Sequence, residues 1–153
     1  MLATLLDRSA LSMADSAARL RLHYQHTPAA LETTRLAVLQ FLAPHALPPR
    51  VVYGVELVLE EWLTNVVRHG HDIADQARVD IELSVLPTAV ILEFQDQGRA
   101  FEPGKAPQPA PAASLDEARP GGLGLAMIRH VASSLRHERR ASRNVFTVTV
   151  PRR

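Results

Sequence analysis

Glu61 and Asn65 stand one helical turn apart in the stretch ELVLEEWLTNVVRHG, residues 56–70. Asn is a poor residue for a helix interior, and an exposed helical position would favour Ala, Lys or Gln. Its side-chain oxygen is a neutral, hard donor suited to Mg²⁺, an ion that keeps its waters, shares nucleotide phosphates and needs few protein ligands. A Glu one turn away could accept a proton or orient a water beside those phosphates. Two further constellations follow. In EFQDQGRAFEP, residues 93–103, Asp96 closes an apolar run and Gly98 lies just beyond it. A carboxylate there could accept a hydrogen bond from an exocyclic amine such as adenine's, and a glycine lets a flat base approach the backbone. In PGGLGLAMIRH, residues 120–130, Gly121, Gly122 and Gly124 precede a helical pattern, where free backbone N–H groups could bind phosphate.

Each of the three has a plainer counterpart. Glu61, Asn65 and Arg68 could be a solvated helix edge whose Glu–Arg pair contributes roughly a few tenths of a kcal/mol. Asp96 and Gly98 could be a strand ending in a turn. The glycines could be a flexible joint. They do not form a Walker loop, because no Gly-Lys-Ser/Thr follows. They also fit the dinucleotide fingerprint poorly, with Met127 at the third small position and a proline-rich segment in front.

These residues need elements to hold them. Stepping about 100° per residue from Val51 gathers Val52, Val55, Val58, Leu59, Trp62, Leu63, Val66 and Val67 on one broad arc. Glu61, Asn65 and Arg68 fall together on its flank, where a side chain is held by packing yet reaches a cleft. Pro48 and Pro49 open this helix and Gly70 stops it after His69. His69 lies close to the arc and reads as a hydrogen-bonded structural histidine. Upstream, residues 18–27 alternate around Leu20, Leu22 and Tyr24 as a strand. Thr27 and Pro28 then cap a helix with Leu31, Val38, Leu39, Phe41 and Leu42 on its apolar side, ending before Pro44. ARVDIELSVL and AVILEFQD, split by Pro87 and Thr88, read as a hairpin. Residues 97–120 are proline-rich and lack a sustained period, the character of a lid or binding loop. A helix follows the glycines, and LRHERR with NVFTVTV forms a closing hairpin. The order predicts an α+β two-layer sandwich, a mostly antiparallel sheet covered on one face by helices.

The bulk numbers close off other classes. A chain of 153 residues suggests one domain with a single substantial core. Its net charge of +1 gives no electrostatic ground for direct nucleic-acid binding, and HERR at residues 137–140 reads as a solvated strand end. The absence of cysteine excludes disulfides, thiolate catalysis and cysteine–zinc sites. The seven histidines lack HExxH spacing. No apolar run reaches the length of a membrane span, and residues 1–16 lack the charge pattern of a signal peptide. The expected location is the cytoplasm, with residues 1–16 as an N-terminal arm.

In this order, Glu-x-x-x-Asn on a helix, Asp-x-Gly after a strand and Gly-x-Gly before another helix resemble the GHKL (Bergerat) ATPase superfamily. EEWLTNVVRHG, DQGRAFEP, ARPGGLGLAMIRH and ERRASRNVFTV are most similar to the small bacterial anti-sigma-factor serine kinases of partner-switching pathways. The resemblance implies a GHKL domain over residues 17–153, with a lid at about 102–120. It implies ATP and Mg²⁺ as cofactors, Asn65 as the metal ligand and Glu61 as general base for an incoming serine hydroxyl. Asp96 would bind the adenine amino group, Gly98 would shape that pocket, and Gly122 and Gly124 would meet the phosphates. Arg119 is a further candidate phosphate contact and Lys105 a weaker one. The implied partners are a STAS-domain antagonist that carries the serine, a sigma factor or equivalent regulator, and a second copy in a homodimer. Ala100 replaces the second glycine often found in Asp-x-Gly-x-Gly. An ATP-gated adaptor without kinase activity needs Asn65 and Asp96 but not Glu61. The ATPase part of a histidine kinase would need a preceding dimerisation helix with a phosphoacceptor histidine.

Overall fold

The computed structural model describes residues 17–70, 77–100 and 122–153. The arm at 1–16, the lid at 102–120, and with it Lys105 and Arg119, lie outside the described residues. Five strands form one antiparallel sheet: β1 (Ala18–Gln25), β2 (Arg78–Val85), β3 (Ala89–Asp96), β4 (Ser134–Arg140) and β5 (Arg143–Pro151), in the order β1-β2-β3-β5-β4. Three helices, α1 (Ala30–Leu42), α2 (Pro49–Asn65) and α3 (Gly122–Val131), lie between them in the chain. This is the α+β arrangement that the element order predicts.

Alternation decides which face is covered. Val79, Ile81, Leu83 and Val85 of β2 are buried, as are Val90, Leu92 and Phe94 of β3 and Phe146, Val148 and Val150 of β5. All fall at every second position, so they share the face that the helices cover. α2 lays Val51, Val55, Val58, Leu59, Trp62 and Leu63 on that face. Burying each such side chain contributes about 1.5–3 kcal/mol, and this stripe anchors the helix that carries Glu61 and Asn65. Trp62 stacks on Phe146 with ring centroids 3.6 Å apart. That contact fixes the rotation of the last turn of α2 over the sheet.

Two helix ends differ from the sequence reading. α1 starts at Ala30, not at Pro28, and has no side-chain cap; the Thr27 carbonyl, not its hydroxyl, closes the entry turn by accepting from Ala30 N at 3.1 Å. α2 is α-helical only to Asn65, and Val66–Gly70 form a π-helical turn. The wider i→i+5 winding advances each residue through a smaller angle. Positions after Asn65 therefore no longer follow the 100° wheel. Val66 stays buried, while Arg68 and His69 are exposed.

The β4–β5 hairpin turns at Ala141 and Ser142, whose φ values are +44° and +68°. Left-handed backbone at both central positions matches a primed turn, which suits the twist of paired strands. It is adopted here without the glycine or asparagine that such turns favour. The turn sets the register in which Arg139 faces Asn144.

Candidate functional site

One cross-strand row carries the two buried polar residues described on the sheet's covered face. Val79 of β2 pairs with Asp96 of β3, Asp96 pairs with Asn144 of β5, and Asn144 pairs with Arg139 of β4. Asp96 and Asn144 are each 3% exposed, and they are the buried polar residues among those described. A buried carboxylate is costly unless hydrogen bonds compensate it. Asp96 Oδ1 accepts from Gly98 N at 2.8 Å and from Asn144 Nδ2 at 3.0 Å. Asn144 Nδ2 also donates to the Arg99 carbonyl at 2.7 Å. Asn144 Oδ1 accepts from Arg139 Nη1 at 2.8 Å.

The π-helical turn docks on this row. Arg99 N donates to the Gly70 carbonyl at 3.0 Å. Gly98 lies so close that a Cβ there would sit 2.5 Å from Gly70 O and 2.8 Å from Asp96 Oδ1. Only a residue without a side chain fits between the strand end and the end of α2. The result is a pocket of about 290 Å³ lined by Trp62, Asn65, Val66, His69, Gly70, Asp96, Arg99 and Asn144.

Asn65 and Asp96 thus face one cavity. Asn65 is half-buried and makes no side-chain hydrogen bond among the described residues. Its amide oxygen is therefore available to a ligand. Glu61, one turn earlier, is also half-buried and is engaged in no ion pair or hydrogen bond among the described residues. In particular, it does not pair with Arg68, which the π-helical turn carries away. The Glu61 carboxylate instead lies against the first turn of α3. A Cβ built on Gly124 would overlap its Oε2 and lie 3.1 Å from its carboxyl carbon.

A family model of the histidine kinase-like ATPase domain matches residues 24–150. The chain belongs to this family. The ATPase domain is also 35% identical over 100 residues, 65% of this chain and 70% of the relative, to the serine/threonine-protein kinase BtrW of Bordetella bronchiseptica. In structure it is similar to the RsbU and RsbW domains of Rv1364c from Mycobacterium tuberculosis, with a TM-score of 0.61 at 18% identity. That match covers 89% of this chain and 33% of the other, so the chain spans about a third of that solved chain's length, and it speaks for the fold.

Within this ATPase domain, the residues singled out from sequence do not all meet. Asn65 and Asp96 line the pocket, Gly98 packs beside Asp96 and Gly70 without lining it, and Glu61 and Gly124 touch each other at the α2–α3 junction. Gly122 is the first residue of α3. His69, read from sequence as a structural histidine, is exposed and lines the pocket. Asn144, Arg99 and Arg139 were not singled out. Asn144 was detectable: it shares the parity of Phe146, Val148 and Val150, so strand alternation alone puts an amide on the buried face. For Arg139 no local signal exists, because only the strand pairing brings it to Asn144. Among the described residues no group of three or more His, Asp or Glu side chains could hold a metal by itself. A lone amide oxygen fits Mg²⁺ only as an ion shared with a phosphate ligand.

Proposed function

We propose that the protein is an ATP-dependent protein serine kinase of a partner-switching pathway. In this reading it phosphorylates a serine on a STAS-domain antagonist and sequesters a sigma factor or an equivalent regulator, acting as a homodimer. The observation that carries the reading is that Asp96 and Asn65 line one pocket, with Glu61 one turn from Asn65. The family's use of ATP and the 35% identity to a serine/threonine kinase support it.

The roles follow from the chemistry of each group. Asp96 accepts a hydrogen bond from the adenine amino group, and Gly98 admits the base. Asn65 would hold Mg²⁺ through its amide oxygen, and the ion would neutralise phosphate charge there. Glu61 accepts the proton of the incoming serine hydroxyl. Gly122 and Gly124 at the start of α3 leave backbone N–H groups for the phosphates, joined by Arg119. Residues 17–153 form the catalytic unit, with 102–120 as its lid. Phosphoryl transfer depends chiefly on positioning and charge neutralisation, so these groups are most of what it requires. A new phosphate on the antagonist adds charge to a packed interface and releases it.

The test is a calorimetric titration of the pure protein with ATP, with and without Mg²⁺. Phosphorylation of a STAS-domain protein with labelled ATP follows. Binding that strengthens with Mg²⁺ in the wild type, and loses that gain in Asn65→Ala, supports the metal role. Equal affinity with and without the ion in both proteins removes it. Tight ATP binding with no transfer to any STAS substrate leaves a nucleotide-gated adaptor in place of a kinase.

A further inference from the structure

The strand row that ends at Arg139 has a consequence for which nucleobase the pocket accepts. Asn144 has no free donor. Both amide hydrogens are engaged, by Asp96 Oδ1 and the Arg99 carbonyl, and its oxygen accepts from Arg139. The amide is thereby oriented by its partners. Flipped, its oxygen would face Asp96 Oδ1 and Arg99 O, two acceptors, and its NH₂ would face the Arg139 guanidinium, which only donates. Arg139 makes this orientation unambiguous, and it also donates to the Gly98 carbonyl at 3.3 Å. An arginine exposed on the edge strand therefore holds both the amide and the base loop. On Asp96, Oδ1 carries two donors, while Oδ2 has no partner among the described residues.

We propose that Arg139 and Asn144 are positioning residues that fix Asp96 so that it offers the pocket one acceptor, selecting purines with a 6-amino group over those with a 6-oxo group or a hydrogen there. The inference rests on the reading of Asp96 as the purine contact. Asn144 donates nothing to the base itself, because both of its amide hydrogens are engaged. An acceptor held rigidly by two donors cannot turn to meet a carbonyl at the same position. A 6-oxo purine would leave Asp96 Oδ2 facing another acceptor, and a site built for one hydrogen-bonding pattern rejects the other strongly. Arg139 acts at one remove, through the amide.

The experiment measures Kd by calorimetry for ATP and for purine riboside 5′-triphosphate, which carries hydrogen in place of the 6-amino group. The proteins are the wild type, Asn144→Leu, Arg139→Ala and Arg139→Lys. The wild type should prefer ATP by about tenfold or more, the worth of one hydrogen bond to a charged group. Asn144→Leu should reduce that preference to about threefold or less, weakening ATP more than the analogue. Arg139→Ala should lose part of the preference, and Arg139→Lys should recover some of it, because an ammonium can still donate to Asn144 Oδ1. Equal weakening for both nucleotides would mean a merely structural role and would overturn the inference. Should Asn144→Leu fail to fold, Arg139→Ala, an exposed site, decides the matter. A wild-type preference that survives intact in Arg139→Ala overturns the positioning role alone. A wild type without any preference overturns the purine reading of Asp96, and this inference with it.

Discussion

Two regions of the site are built differently. At one end Asp96 and Asn144 are buried and locked into a network that also takes in Gly98, Arg99 and Arg139. At the other, Glu61 and Asn65 are half-buried and make no hydrogen bond or ion pair among the described residues. The first end is finished by the fold itself, at the cost of burying a carboxylate. The second has polar groups left without such partners among the described residues. A recognition end gains from rigidity, since a fixed acceptor discriminates. A transfer end keeps its donors and acceptors free for groups that arrive with the substrate.

If this contrast is correct, substitutions at the two ends should fail differently. The largest effect belongs to Glu61→Gln, which should lower phosphotransfer by about 10²–10⁴-fold while leaving nucleotide affinity within about twofold. Labelled-phosphate transfer and calorimetry on the same preparation separate the two quantities, and transfer at the wild-type rate would end the general-base assignment. Gly124→Ala should come next. The added methyl would overlap Glu61 Oε2, and moving a reacting group by about 1 Å lowers rates by up to about 10²-fold. Its KM for ATP should move little if displacement of Glu61 is the cause.

Gly98→Ala tests the recognition end. A methyl 2.5 Å from the Gly70 carbonyl meets backbone, which cannot swing aside as a side chain would. Overpacking of this kind costs about 1–3 kcal/mol of stability. Here, unlike at Glu61, melting temperature and ATP affinity should fall together. A stable Gly98→Ala protein with unchanged affinity would show that the recognition end is not rigid.

The smallest effect is expected on the opposite face of the sheet. Asp80 accepts from His23 Nδ1 at 2.6 Å and from Arg143 at 2.5 Å. The His23 hydrogen bond, then that of Arg143, lowers its pKa below the ordinary aspartate value. The unfolded chain thus takes up this proton first as pH falls. The stabilisation is complete above about pH 3.9 and fades as pH drops through the lowered folded value. The side chain is 45% exposed, so solvent screening keeps the contribution below about 1 kcal/mol. Asp80→Asn should lower stability slightly at neutral pH, converge with wild type in strong acid and leave ATP binding unchanged. Denaturant melts across pH would show this, and a loss of nucleotide affinity would mean that the two faces communicate.

Periodicity made most of the fold legible. Alternating Val79, Ile81, Leu83 and Val85 specified a half-buried strand, and the arc from Val51 to Leu63 specified a helix lying on it. The order of Glu61, Asn65, Asp96, Gly98 and Gly124 pointed to nucleotide chemistry through its resemblance to a known family, although each motif alone has a plainer reading. These are local properties: a period of two or of about 3.6 is set by backbone geometry and needs no knowledge of neighbours. The π-helical turn after Asn65 was not legible, since it exchanges one hydrogen-bond pattern for another in response to docking against Arg99 and Gly98. Nor were the contact of Glu61 with Gly124 and the placing of Arg139 beside Asn144, separated by 63 and 5 positions. Strand register and helix packing decide those contacts, and they follow from the whole core settling at once, not from any single stretch of sequence.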